Sequence, residues 1–236
     1  MRLMYRLLPF LLIAILAVGA YFYLPARRLI VYKIGISGDQ TTSCCSEEEI
    51  SRSNGKFDET AKVAFFNSQV IDYPKTSLAA NFIKENSNSE VLGTKNTNGE
   101  DKWIEVSLAQ QMLRAWEGNN IILEFPISSG LWYPTPKGDF AIWHKTKYQR
   151  MKGGSQELGT YYDLPNVPNN MFFFKGFAIH GAYWHNNFGN PMSHGCVNAP
   201  LAQVAELFAW AGPFVEEGKN VAHATDDNPG TRVFIH

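Results

Sequence analysis

The chain has 236 residues, of which 45% are hydrophobic and 14% aromatic, and its formal net charge is −1. That length leaves room for one enzyme domain with additional segments, and the hydrophobic fraction is sufficient for a core. A net charge this close to zero gives no support for nucleic-acid binding, so no nucleic-acid partner is expected.

A long apolar run lies near the N-terminus. Leu7 to Leu24 is 18 residues without a charge, and basic residues flank both ends. As a helix this run would be about 27 Å long, which is enough to cross the hydrocarbon core of a bilayer. Val18-Gly19-Ala20 would suit cleavage of a signal peptide. Because the run continues beyond that site, residues 1–33 are predicted to be an uncleaved membrane anchor, with a cleaved signal as the alternative.

The next segment, residues 34–100, is predicted to be a polar stalk or linker, because it is rich in Ser, Thr, Asn and Gly. Within it, residues 61–71 favour two short strands about an Asn67-Ser68 turn, with a helix fragment as the alternative. Cys44 and Cys45 are adjacent, so they do not form an ordinary intramolecular disulfide. Free thiols or intermolecular bridges are the two remaining interpretations.

Residues 101–236 have the pattern of a β domain. Short alternating runs separated by turn residues occur over 103–108, 112–116 and 121–127, and this spacing is typical of a β-sandwich or barrel. Further strands are predicted at 140–144, 172–180 and 231–235, and a helix at 199–211. Residues 146–170 contain a glycine pair and two prolines, and they are predicted to be a long loop that covers the site as a lid.

The chemistry is concentrated in residues 180–198, which hold three of the six histidines and Cys196. A thiol is a useful nucleophile only as the thiolate, so a catalytic cysteine needs a base or a positive dipole beside it. Gly195 suits the tight turn before the cysteine. Asn198 and Pro200 are typical of a helix start, which would place Cys196 beside the positive end of that helix.

Two other interpretations of this cluster remain open. A zinc site is disfavoured because the spacing of His194 and Cys196 does not match the common paired ligands, so no metal ligands are assigned. The second alternative is a packed cysteine and histidine with no chemistry. His144 and His223 have no motif around them and are expected to be packed or surface residues, and His185 is assigned no role.

His180, twelve intervening residues and then Ser193-His194-Gly195-Cys196-Val197-Asn198 resemble the signature of the L,D-transpeptidases, the YkuD domain family that cross-links bacterial peptidoglycan. The resemblance extends upstream through Pro126–Gly130 and Pro134–Phe140. It covers the segment from Lys102 to His236, a little over half of the chain.

The resemblance implies a mainly β fold, an L,D-transpeptidase-like β-sandwich or barrel with a short helix after the catalytic cysteine. It implies Cys196 as the nucleophile and His180 as the base, with the backbone carbonyl of Gly181 orienting the base. The turn at His194 and Gly195 is expected to supply oxyanion donors. The side chains of Ser193, His194 and Asn198 are expected to hold that turn and the donor strand. The expected substrate-binding residues are Ser193, Asn198, Tyr162 and Trp184, although the two aromatic residues could instead belong to the core.

The implied reaction is acyl transfer through a cysteine thioester on a tetrapeptide stem, with release of D-Ala and formation of a 3→3 cross-link. It needs no cofactor, and the expected partners are peptidoglycan stem peptides and a membrane. The catalytic domain is expected to lie outside the cytoplasm, anchored to the membrane or secreted if the signal is cleaved. An L,D-carboxypeptidase and a non-catalytic wall-binding module are the alternative functions.

Overall fold

The computed structural model describes residues 45–74, Gly99 and residues 101–236. The predicted anchor, most of the predicted linker and Cys44 lie outside these residues. Within the described part of the chain, no helix combines the length and the apolar composition that a membrane span requires.

The described residues form two helices, α1 (Glu47–Arg52) and α2 (Leu201–Trp210), and twelve strands. The strands are β1 Ala64–Phe66, β2 Gln69–Ile71, β3 Lys102–Ser107, β4 Met112–Glu117, β5 Asn120–Pro126, β6 Gly138–Ala141, β7 His144–Gly153, β8 Tyr162–Phe174, β9 Phe177–Gly181, β10 Val197–Ala199, β11 Val221–His223 and β12 Arg232–Ile235.

The strands form two sheets. The five-stranded sheet has the order β5-β4-β3-β12-β6, in which only β12 and β3 pair in parallel. In the seven-stranded sheet the long strand β8 carries β7 on one edge and β9 and β1 on the other. Strand β10 extends this sheet beyond β9, β2 extends it beyond β1, and β11 extends it beyond β7. The mainly β prediction is confirmed.

A single core cluster takes side chains from both sheets and from α2. Alternation along β3 shows how this core forms. Ile104 and Val106 are fully buried in it, while Trp103 faces outward and stacks on Trp116 of β4, with ring centroids 5.3 Å apart. Side chains two apart on a strand point to the same face, so one apolar face of each strand is buried in the core.

The segment 146–170 is not the long loop that its composition indicated. Most of it belongs to β7 and β8, which pair antiparallel over nearly their whole length, and only residues 154–161 connect them. Pro165 and Pro168 lie inside β8, near a register shift in its pairing with β7. In the regular part of this pairing, the side chain of Asn170 donates to Thr146 Oγ1 at 3.1 Å.

Residues 45–71 pack against the seven-stranded sheet, whereas the sequence indicated a polar stalk here. A Ser46–Glu49 capping box starts α1 and holds the fully buried Ile50 in place. The predicted hairpin is present as β1 and β2. Its two turn residues, Asn67 and Ser68, both have positive φ, which suits the right-handed twist of a two-residue hairpin.

Cys45 is buried, and its Sγ lies 3.6 Å from the carbonyl oxygen of Arg150. It belongs to the cluster of buried side chains that also includes Ile50 and Cys196.

Candidate active site

Strands β9 and β10 bring the predicted catalytic pair together. They run in parallel with Asn198 opposite His180, so the two side chains lie on one face of the sheet. Cys196 lies in the turn immediately before β10. All three side chains line one cavity of about 30 Å³. The sequence motif therefore corresponds to one site.

The His180 ring is fixed by its own backbone neighbour. Nδ1 lies 3.2 Å from the carbonyl oxygen of Gly181, which can only accept, so Nδ1 carries the proton. The other ring nitrogen, Nε2, then keeps its lone pair and is suited to act as a base. This is the arrangement that the resemblance implied for Gly181.

The turn before Cys196 is braced by one hydroxyl. Ser193 Oγ donates to the Cys196 carbonyl at 2.5 Å and accepts the Gly195 N–H at 3.0 Å. Ser193 lines the cavity, and its hydroxyl holds the turn, which is one of the two roles that the resemblance implied for it. The Gly195 N–H is likewise used within the turn.

Gly195 is required at its position by both backbone and space. Its φ is +115°, a region that other residues rarely adopt, and a Cβ would lie 2.5 Å from a ring carbon of Phe177. The tight turn that the sequence predicted here is thus present.

A neighbouring segment holds this turn from the side. The backbones of Ser128 and Asn198 exchange two hydrogen bonds of 2.9 Å, and Ser193 N–H donates to the Ser129 carbonyl at 3.0 Å. The Gln111 side chain donates to Ser129 Oγ and accepts its N–H. The Pro126–Gly130 stretch therefore supports the cysteine turn.

The surroundings of Cys196 differ from the expected helix N-terminus. Asn198 lies in β10, and α2 begins only at Leu201 with Pro200 as its N-cap. Pairing with β9 overrides the capping tendency of Asn198, because three consecutive residues of β10 have partners there. Cys196 is buried, and its Sγ lies 3.9 Å from the Gly176 carbonyl. Cys196 is therefore separated from the first residue of α2 by β10 and Pro200.

His194 is buried and lines the cavity, and its ring lies tilted against that of Tyr162 with ring centroids 4.6 Å apart. Burial lowers its pKa to about 4, and a backbone hydrogen bond with Thr160 acts in the opposite direction. The ring is therefore neutral at pH 7. Its Nε2 is buried and has no hydrogen-bond partner among the described residues, which leaves one polar atom of this cavity-lining side chain available to a ligand.

Asn198 is held by a residue to which the sequence assigned no role. Its side-chain amide lies 2.9 Å from His185 Nε2. Burial, followed by the nearby His180, lowers the pKa of His185 to about 4, so this ring is also neutral at pH 7. His185 therefore supports Asn198 without adding charge beside His180.

Aromatic and aliphatic side chains complete the cavity. The ring centroids of Trp184 and His180 lie 5.7 Å apart. The Nε1 atom of Trp184 is buried and has no hydrogen-bond partner within the described part of the chain. Phe66, Met151 and Leu164 also line the cavity, and sequence reasoning missed them. No motif marks these three residues, and only their positions in the folded sheet bring them here.

The described residues include no group of three or more His, Cys, Asp or Glu side chains arranged to hold a metal ion. His144 and His223 pair with each other at 3.1 Å between their Nδ1 atoms, on β7 and β11. His144 is fully buried, as expected for a packed histidine.

Comparison with known proteins agrees with this geometry. The sequence profile of the L,D-transpeptidase catalytic domain, YkuD, matches residues 101–235, more than half of the chain. No individual curated protein matches.

Several solved structures are similar. The Ldtfm-avibactam carbamoyl enzyme is 32% identical, with 58% of this chain and 49% of that chain covered and a TM-score of 0.44, so the match spans about half of its length. The catalytic domain of the E. faecium L,D-transpeptidase is 32% identical, with 58% of this chain and 98% of that chain covered and a TM-score of 0.44. The L,D-transpeptidase from Mycobacterium smegmatis is 19% identical, with 58% and 59% covered and a TM-score of 0.47.

The match over residues 101–235 contains the whole signature, from His180 to Asn198, and the strands that support it. The chain belongs to the L,D-transpeptidase catalytic domain family.

Proposed function

We propose that this protein forms 3→3 cross-links in peptidoglycan, through a thioester on Cys196 and with release of D-Ala from a tetrapeptide stem. One observation carries the proposal. His180 and Cys196 line the same cavity, and the bond to Gly181 leaves His180 Nε2 as the base.

In the first half-reaction His180 Nε2 takes the proton of the Cys196 thiol, and the sulfur attacks the carbonyl carbon of the third stem residue. A C–S bond forms and the carbonyl becomes an oxyanion. When it collapses, the C–N bond to D-Ala breaks and the leaving amine takes the proton from His180. The product is a thioester of the tripeptide stem.

The oxyanion needs donors that are already in place. We assign this function to backbone N–H groups of the turn from His194 to Cys196. The brace from Ser193 to the Cys196 carbonyl holds the peptide planes of this turn. Stabilisation of the oxyanion therefore depends on Ser193 without a contact between its hydroxyl and the substrate.

In the second half-reaction the side-chain amine of a second stem attacks the thioester. His180 accepts a proton from that amine, the C–S bond breaks, and the proton passes to the sulfur of Cys196. The new amide is the cross-link. Water in place of the amine would give the carboxypeptidase reaction with the same residues.

Polar atoms at the cavity wall suit recognition of the stem. Two buried atoms, His194 Nε2 and Trp184 Nε1, have no hydrogen-bond partner among the described residues. The first is a hydrogen-bond acceptor and the second is a donor. A peptide supplies both complementary groups along its backbone. We assign these two atoms, together with the Asn198 side chain, to binding of the donor stem.

A cell-wall substrate also requires the catalytic residues to lie outside the cytoplasm. We therefore propose that residues 1–33 attach the protein to the membrane or direct its secretion, in keeping with their apolar composition.

Product analysis tests the proposed function. The protein is incubated with a disaccharide-tetrapeptide, with and without a second stem as acceptor, and the products are separated by mass spectrometry. We expect free D-Ala and a 3→3 dimer. Free tripeptide without dimer at saturating acceptor would instead identify a carboxypeptidase, and unchanged donor would leave only the binding module.

A further inference from the structure

Phe66 lines the catalytic cavity although it lies outside residues 101–235, which match the family. It belongs to the hairpin β1–β2, which we call the N-terminal hairpin (residues 64–71). The ring of Phe66 lies 6.2 Å from that of Trp184 and 6.3 Å from that of His185, between centroids. A segment remote in sequence therefore supplies one wall of the site.

The register of the hairpin fixes which side chains face the site. Ala64 pairs with Ile71 and Phe66 with Gln69, so these residues share one face, while Phe65 and Val70 share the other. Ala64 is fully buried and Val70 is 66% exposed. The face that carries Phe66 is thus the inner face, and Val70 points away from the cavity.

Among the described residues, few backbone hydrogen bonds attach the N-terminal hairpin to the sheet. Strand β1 pairs with β8 through the single register pair Phe65 and Asp163, and Ser68 N–H donates to the Tyr161 carbonyl at 2.8 Å. Strand β2 pairs with β1 and has no other partner among the described strands. Its position is that of an edge hairpin, where local opening costs less free energy than in a central strand.

The cavity beside Cys196 is narrow. Its volume is about 30 Å³, whereas sites for small organic ligands usually enclose about 300–1,000 Å³. The side chains that line it therefore limit which groups reach Cys196. Tyr162, His180 and Cys196 are buried in or beside the inner strands of the sheet, whereas Phe66 is only partly buried and lies on the edge hairpin.

We infer that Phe66 is a specificity-determining residue, and that the N-terminal hairpin is a movable wall that limits the size of the group that reaches Cys196. The nature of the donor stem rests on the proposed function. The limit on access to the Cys196 sulfur does not rest on the proposed function, because access is a property of the cavity alone.

Labelling of the thiol by reagents of different size tests the inference. The full-length chain is treated with iodoacetamide or with N-(1-pyrenyl)maleimide, and peptide mapping follows the Cys196 peptide separately from Cys45. In Phe66→Ala we expect the bulky reagent to react about 10-fold faster and iodoacetamide to change by less than about twofold, because only access differs. Phe66→Trp should slow the bulky reagent further.

Val70→Ala is the matched control, because it alters the same hairpin on the face that points away from the cavity. It should leave both rates unchanged. Equal acceleration of both reagents in Phe66→Ala, or no change with either, would overturn the inference. If Phe66→Ala loosens the whole hairpin, Val70→Ala and Phe66→Trp still separate access from stability, since neither removes a buried side chain.

A second readout links access to specificity. The ratio of kcat/KM for a donor with a bulky D-residue at position four to that for the D-Ala donor should rise in Phe66→Ala. If this protein did not catalyse acyl transfer, the expected difference between the two labelling reagents would still be observed. Failure of the proposed function and failure of this inference are therefore distinguishable. Unaltered donor preference in an active Phe66→Ala enzyme would contradict the assignment of specificity.

Discussion

The hydroxyl of Ser193 donates to the backbone carbonyl of Cys196 across 2.5 Å and accepts the N–H of Gly195 in the same turn. One side chain therefore sets the conformation of the residues around the nucleophile. The resemblance implied that this side chain would hold the turn, and it also placed Ser193 among the expected substrate-binding residues.

Ser193→Ala should lower kcat for acyl transfer by about 10-fold, equivalent to about 1.4 kcal/mol, and leave KM nearly unchanged. The reason is that the turn would no longer hold its N–H groups for the oxyanion, while the walls of the cavity remain. Steady-state kinetics with a tetrapeptide donor measures this split. Ser193→Thr keeps the hydroxyl and should recover most of the rate. A rise in KM alone would return Ser193 to substrate binding.

The contact between His185 and Asn198, at 2.9 Å, should couple the two side chains. Because each residue acts through the other, the effects of His185→Ala and Asn198→Ala on kcat/KM should not add. We expect a coupling energy of about 1 kcal/mol in a double-mutant cycle. Additive effects within about 0.3 kcal/mol would mean that His185 does not position Asn198.

The packing of residues 45–71 can be tested by stability. Ile50 is fully buried in the cluster beside the site, so Ile50→Ala should lower the free energy of unfolding by about 2–5 kcal/mol. Val63, which is 44% exposed, is the control. Val63→Ala should change the free energy of unfolding by no more than about 0.5 kcal/mol. Denaturant unfolding measures both. Equal, small effects would indicate that this segment is a tether.

Buried histidines predict a loss of stability in mild acid. Burial lowers the pKa of His144, His185 and His194 to about 4 in the folded state, while an unfolded histidine has a pKa of about 6.5. Between these values the unfolded chain binds more protons, so stability is complete above about pH 6.5 and falls as the pH drops towards 4.

Thermal unfolding at pH 7.5 and pH 5.5 measures this dependence. His144→Phe removes one of these titrating groups far from the reaction and should reduce the loss of stability between the two pH values by up to about 1.4 kcal/mol per pH unit in the titration window. A wild-type protein equally stable at both pH values would contradict the burial of neutral histidines.

Much of the fold could be predicted because its signals are local. Alternation over residues 103–127 follows from one buried face per strand, and the Asn67-Ser68 hairpin follows from residues that tolerate positive φ. The motif from His180 to Asn198 located the site, because the chemistry of a thiol needs a base nearby.

The errors arose where a distant partner decides the structure. Pro165 and Pro168 indicated a loop, yet β8 is buried between β7 on one edge and β9 and β1 on the other. Asn198 indicated a helix cap, yet its pairing with β9 keeps it in a strand. Phe66 had no signal at all, since its contact with Trp184 joins residues more than a hundred positions apart in sequence.

The central claim is that Cys196 forms a thioester with the donor stem, and intact-protein mass spectrometry tests it most directly. With a tetrapeptide donor alone, we expect released D-Ala and an adduct with the mass of the tripeptide stem on Cys196, absent in Cys196→Ala. His180→Ala should slow its formation by about 10²–10⁴-fold. An adduct that persists in Cys196→Ala, or no adduct on the folded wild-type protein, would contradict the account.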